Sequence, residues 1–141
     1  MSNVKIYKNG KLKLDSGTYW DYEEFKKLHG YYSIIDLLMK LLEDKIDLSQ
    51  KIMQQHNFIL SKEEKDIIAK KMEEYIEKDI HDFKEAEDLE DYINIYYKNK
   101  LYKMPFKRSE LSLERKLLKA MSLYDKFNDP NNSNIIEIKF N

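Results

Sequence analysis

The sequence predicts an α+β fold that is predominantly helical, with about four to six helices packed against a small sheet made of an N-terminal β-hairpin and a C-terminal strand. Three observations predict it. Apolar and polar residues alternate at both ends of the chain, over 4–14 and 135–140, which is the period of a half-buried strand. Between the ends, apolar residues recur at helical spacing. Two of those stretches open on an Asp or Ser followed three residues later by Glu, as capping boxes do. The 141 residues fit one domain with a hairpin at 4–14, a helical body at 21–128 and a strand at 135–140.

In the hairpin, Val4, Ile6, Leu12 and Leu14 alternate with lysines around Asn9-Gly10. A two-residue Asn-Gly loop pairs Tyr7 with Leu12 and splits the apolar residues between two faces. A three-residue loop, Lys8-Asn9-Gly10, pairs Ile6 with Leu12 and Val4 with Leu14. One apolar face then forms, so the pattern predicts a type I turn with Gly10 as a G1 bulge. Lys5, Lys11, Lys13 and Tyr7 make the other face.

Asp21 and Glu24 form a capping box, with Trp20 and Phe25 at the staple positions and Gly30 as the stop. A second helix starts near Ser33 and carries Ile34, Leu38, Leu41 and Leu42, with a kink or break at Asp47-Leu48-Ser49. Residues 57–61 read as a loop. Ser61 and Glu64 form the next capping box, ahead of Ile68, Met72, Tyr75, Ile76, Ile80 and Phe83. Asp88 then caps a helix through Leu89, Tyr92, Ile93 and Tyr96, which Pro105 ends. Ser109 opens the last helix, with Leu113, Leu117, Met121, Tyr124 and Phe127 on one side. The loop at 129–134 precedes Ile136, Ile138 and Phe140, and this strand is expected to join the hairpin, since a lone hairpin is marginal.

Composition narrows the function classes. Without cysteine the chain has no disulfide, thiolate zinc site or cysteine nucleophile. The first residues carry no apolar signal core, and the longest apolar cluster, 34–42, is too short to span a bilayer. A cytoplasmic location is the expectation. Lysine outnumbers arginine heavily, and Ile, Asn and Tyr are abundant, a codon signature of an AT-rich genome or one of its mobile elements. Charge is segregated: residues 61–91 sum to −7 and 92–141 to +5, a pattern that bears on partners.

No glycine-rich phosphate loop or nucleophile elbow is present, and no cofactor is implied. His56, His81-Asp82 and Asp125 follow the order of HD-type metal-dependent phosphohydrolases, where imidazoles and carboxylates hold a water-activating metal. An exposed histidine on a charged helix is the commoner reading of His81, so no metal site is assigned. The acidic run offers a partner-binding face: Glu73, Glu77, Glu85, Glu87, Asp88, Glu90 and Asp91. Such a face fits a basic groove on another molecule. The basic run offers a nucleic-acid face: Lys98, Lys100, Tyr102, Lys103, Phe106, Lys107 and Arg108. Cations there would contact phosphates and aromatics would stack on bases. The preferred expectation is a non-enzymatic inhibitor or adaptor that binds a larger protein or nucleoprotein, of the kind phages use against host defence (anti-CRISPR-like). Nucleic-acid binding is the second expectation and an HD-type phosphohydrolase the third.

Overall fold

The computed structural model describes residues 4–15, 38, 40–105 and 112–140. The expected helix at 21–30, the start of the next at Ser33, and Phe106, Lys107, Arg108 and Ser109 lie outside the described residues. Within them the chain runs β1 (Val4–Lys8), β2 (Lys11–Asp15), α1 (Ile46–Met53), β3 (Phe58–Ile59), α2 (Lys62–Asp79), a 3-10 turn (Ile80–Asp82), β4 (Tyr92–Tyr97), β5 (Lys100–Pro105), α3 (Leu113–Phe127) and β6 (Ile136–Phe140). This is an α+β fold, but not one of four to six helices: three helices and six strands in two sheets are seen among the described residues.

The larger sheet has the antiparallel order β2-β1-β6-β3. The C-terminal strand thus lies beside the hairpin, with Val4 opposite Phe140 and Ile6 opposite Ile138. Val4, Ile6, Ile136 and Ile138 are buried, alternating with half-buried polar neighbours. That alternation turns one face of both strands onto the helices. The two residues of β3 extend the sheet past β6, where a loop was expected, and the Asn57 side chain accepts from Phe140 N at 2.8 Å.

The hairpin turn differs from the three-residue loop expected. Lys8 pairs with Lys11, and Asn9 (φ 53°) and Gly10 (φ 80°) form a two-residue loop with both φ positive, the type I′ geometry. A bulge at Lys13 then shifts the register, so Tyr7 faces Leu12 while Ile6 faces Leu14. One extra residue corrects the strand's inner face without a longer turn. Leu12 stays opposite Tyr7 and is 49 % exposed, not buried as expected.

Helix α2 opens on the expected capping box. Ser61 Oγ accepts from Glu64 N at 3.1 Å, and Glu64 Oε1 accepts from Ser61 N at 2.8 Å. Ile68, Met72 and Ile76, four residues apart, are fully buried against α3. Helix α3 is capped by Ser112 and buries Leu117, Leu118, Met121 and Phe127. The break expected at 47–49 falls earlier: α1 begins at Ile46, and Ser49 sits inside it with its hydroxyl donating to the Ile46 carbonyl at 3.0 Å.

One buried polar knot ties these parts together. Lys65 lies on the apolar face of α2 and is 1 % exposed. Its ammonium donates to Asp129 Oδ2 (2.7 Å), Asn132 Oδ1 (2.7 Å) and the Asn134 carbonyl (2.8 Å), so all three protons are used. Asp129 also accepts from the backbone and side chains of Ser133 and Asn134. Asn134 and Ile135 in turn bond Asn9 in the β1–β2 turn. The knot fixes the α3–β6 loop against the N-terminal hairpin.

Candidate interaction surface

The largest departure from expectation lies at 85–105. Leu89, Tyr92, Ile93 and Tyr96 match helical spacing, yet the segment forms a two-stranded ribbon, β4 paired with β5. The composition explains it. Tyr-Ile-Asn-Ile-Tyr-Tyr is aromatic and β-branched, which suits a pleated surface. The connection Lys98-Asn99 has φ 48° and 67°, a second type I′ turn without glycine.

The ribbon has an inner and an outer face. Ile93, Ile95, Tyr97, Tyr102 and Met104 turn inward onto the core. Tyr102 meets the Phe83 ring edge-on at 5.5 Å. Cross-strand partners share a face, so Tyr92, Asn94, Tyr96, Leu101 and Lys103 turn outward. Tyr92 is 44 %, Tyr96 65 % and Leu101 44 % exposed. The Lys103 ammonium lies 4.4 Å from the Tyr92 ring centre.

The two charged runs meet at the ribbon's turn. Lys98 reaches α2 and pairs with Glu77 (2.9 Å) and Glu73 (3.5 Å). These contacts hold a residue whose left-handed backbone is otherwise unfavourable. The Tyr124 hydroxyl donates to Glu73 at 2.7 Å. Tyr97 packs edge-on against Tyr124 at 5.2 Å, and its hydroxyl is buried without a hydrogen-bond partner among the described residues. Burial raises the pKa of both phenols, reinforced for Tyr97 by the Glu77 and Glu73 charges and for Tyr124 by its bond to Glu73. Lys98 is held above its ordinary value by its hydrogen bond to Glu77.

The expected acidic face therefore divides. Glu73 and Glu77 are used within the fold. Glu85, Glu87, Asp88, Glu90 and Asp91 sit in the connection from the 3-10 turn to β4, and all but the half-buried Glu90 are exposed. Ala86 N donates to the Lys103 carbonyl at 3.0 Å, so this connection lies along the outer edge of β5. Glu90 Oε2 accepts from Glu87 N at 2.9 Å, and Glu90 N donates to the Glu87 carbonyl at 3.1 Å. The tight turn they close presents Leu89 fully exposed, with φ 68°.

The expected basic face divides as well. Lys98 is neutralised by Glu73 and Glu77, Tyr102 is buried, and Lys100 lies 5.0 Å from the Tyr102 ring. Of that group, Lys103 reaches the outer face. His56, His81, Asp82 and Asp125 are all exposed, and among the described residues no three His, Cys, Asp or Glu side chains converge on one point. A separate open groove of about 620 Å³ lies between the first turns of α1 and α2, lined in part by Ile46, Asp47, Glu63 and Ile67. Two other carboxylates there are spoken for, Asp44 by Lys71 (2.7 Å) and Glu64 by Lys51 (3.0 Å).

Sequence reasoning missed Lys65 and Leu89. Lys65 had a signal: it stands three residues before Ile68 on the apolar stripe, where a solvated lysine does not belong. Among the described residues, no helix is long and apolar enough to cross a membrane. No known protein family, curated protein or solved structure matches this chain.

Proposed function

We propose that this chain works by binding another protein, as a cytoplasmic inhibitor or adaptor, and that the acidic loop 85–91 is its docking element. One observation carries the reading: Leu89. A β-carbon in the left-handed region is strained by about 1–2 kcal/mol, and Leu89 has φ 68° with no cover for its side chain. Among the described residues, nothing packs on that side chain. Strain held without a structural return points to function outside the molecule.

The surroundings define the partner's chemistry. Glu85, Glu87, Asp88 and Asp91 frame Leu89, so the complement is a small apolar pocket with a basic rim. Complementary charge of this kind speeds encounter and sets orientation, while a desolvated apolar anchor supplies affinity. Five carboxylates beside the ribbon repel a polyanion, and the buried Tyr102 is not available to stack on bases. These facts favour a protein over a nucleic acid.

The test is affinity capture from the host lysate, comparing wild type, Leu89→Gly, and a variant with Glu85, Glu87, Asp88, Glu90 and Asp91 changed to Lys. A specific partner lost in both variants, and released from wild type by salt, supports the reading. The same partners on all three baits, with unchanged salt sensitivity, rule out the loop as the docking element. A steeply salt-dependent shift of a labelled oligonucleotide by wild type would replace a protein partner with a nucleic acid.

A further inference from the structure

We propose that the free edge of β4 pairs with β4 of a second copy of this chain, antiparallel, with Asn94 on the two-fold axis. In a two-residue hairpin, ladder hydrogen bonds fall on the pairs nearest the turn and on alternate pairs beyond it. Here those are Tyr97–Lys100, Ile95–Tyr102 and Ile93–Met104. The N–H and C=O groups of Tyr92, Asn94 and Tyr96 therefore point away from β5. The opposite edge shows the same parity, since the outward carbonyl of Lys103 is the one that Ala86 engages. No such bond covers Tyr92, Asn94 or Tyr96 among the described residues.

An unpaired edge is ordinarily blunted by charge, proline, a bulge or shortness. The larger sheet obeys this rule: β2 carries Lys11, Lys13 and a bulge, and β3 has two residues. Strand β4 has six residues with no charge, no proline and no bulge. It is built as an edge that expects a partner.

The strand is complementary to itself. With Asn94 on the axis, Tyr92 of one copy stands opposite Tyr96 of the other, and Asn94 opposite Asn94. All three lie on the outer face with their main-chain groups directed at each other, as a hydrogen-bonded antiparallel pair requires. On the inner face, Ile93 meets Ile95, and both are half-buried in the single chain. Aromatic and β-branched cross-strand pairs of this kind stabilise a sheet.

Charge selects the same arrangement. Antiparallel pairing brings the segment before β4 in one copy beside the turn after β4 in the other. Directly before β4 that segment holds Glu90 and Asp91, and beside the turn stands Lys100, while Lys98 is already paired with Glu73 and Glu77. Lys100 has no carboxylate partner among the described residues. The isologous contact thus closes with opposite charges at both of its ends, and the ribbon becomes a four-stranded sheet, β5-β4-β4-β5. This inference does not rest on the reading of Leu89: the dimer forms from purified protein without any other partner.

Sedimentation equilibrium of the full chain at about 100 µM, a range that detects even weak association, should give twice 17.1 kDa. Asn94→Lys places like charges face to face on the axis, at an exposed position. It should weaken association at least about tenfold, with an unchanged circular dichroism spectrum. The chain has no cysteine, so Asn94→Cys gives a single thiol on the axis. Hydrogen-bonded antiparallel partners have Cα atoms about 5.5 Å apart, within disulfide reach. Mild oxidation should link Asn94→Cys chains in pairs and leave Leu101→Cys, on the far edge, largely unlinked. A one-chain mass with no preferential link at 94 overturns the proposal, as does a dimer that Asn94→Lys leaves intact. If Asn94→Lys fails to fold, the comparison of the two cysteine variants decides.

Discussion

In the four-stranded sheet, the two central strands come from opposite ends of the chain and every described edge is short, charged or bulged. In the ribbon, both strands are consecutive, one edge is followed by the 85–91 connection, and the other is open and uncharged. On the sheet's side, the buried Lys65 ammonium has all three of its protons matched inside the molecule. The ribbon and the loop before it keep exposed tyrosines, a Tyr97 hydroxyl with no partner among the described residues, and left-handed residues at Leu89 and Lys98. The contrast separates two jobs. On the function proposed above, the sheet and its knot carry stability and the ribbon carries the surfaces offered to other molecules, since regions selected for binding retain local conflicts that a purely structural element loses.

The harshest way to break the comparison is to remove residues 134–141. Strand β6 lies between β1 and β3, so its loss leaves β3 unpaired and β1 with β2 alone. Ile136 and Ile138 are fully buried. Their burial alone is worth about 1.5–3 kcal/mol each, and the ladder bonds and the knot go with them. The expected loss is about 5 kcal/mol or more, enough to abolish a cooperative thermal transition in a domain of this size. Deleting the ribbon's exposed side chains should do nothing comparable.

Lys65→Met attacks the knot alone. The methionine fills the same space but leaves the Asp129 carboxylate buried without its counter-charge. Breaking a buried pair from one side costs about 3–5 kcal/mol, so calorimetry should show Tm falling by about 10 °C. Acid probes the same site from the other partner. The Lys65 hydrogen bond holds the Asp129 carboxyl well below the usual range, against the effect of burial. The unfolded chain therefore binds this proton more readily than the folded one. The stabilisation is complete above about pH 5 and is lost progressively as pH falls below the ordinary carboxylate value. Wild type should lose stability between about pH 5 and pH 2, and Lys65→Met should lose less over that window.

The sheet was the legible half of the molecule. Period-two alternation at Val4, Ile6, Ile136 and Ile138 marks strands whose other face is polar, and no helix satisfies that pattern. Ser61 and Glu64 announced α2 by chemistry that is local. The ribbon was hidden because Leu89, Tyr92, Ile93 and Tyr96 fall at helical spacing, while the strand's own alternation is masked by tyrosines on both of its faces. Its turn, Lys98-Asn99, lacks the glycine that usually signals a hairpin. Only contacts distant in sequence, Lys98 to Glu73 and Glu77, make that turn favourable. Of the acidic run, Glu85, Glu87, Asp88 and Asp91 are exposed in the 85–91 connection, while Glu73 and Glu77 on α2 pair with Lys98 of that turn. The N-terminal bulge at Lys13 escaped for a related reason: counting faces along a strand assumes no extra residue, and a bulge is decided by packing.

The smallest expected effect has the opposite sign. Leu89→Gly removes a β-carbon from the left-handed region, where glycine carries no steric penalty. No packing is lost, because the Leu89 side chain is fully exposed. Against the gain stands the larger backbone entropy that glycine brings to the unfolded chain. The net should be a stabilisation of about 0.5–1 kcal/mol, seen as a rise of a few degrees in Tm. A destabilised Leu89→Gly would mean that the leucine has a packing role in this loop, and the strain argument for a docking element would lose its basis. A stabilised Leu89→Gly that also loses the captured partner would show the ribbon's side of the contrast directly, with a residue kept at the expense of the fold for the sake of binding.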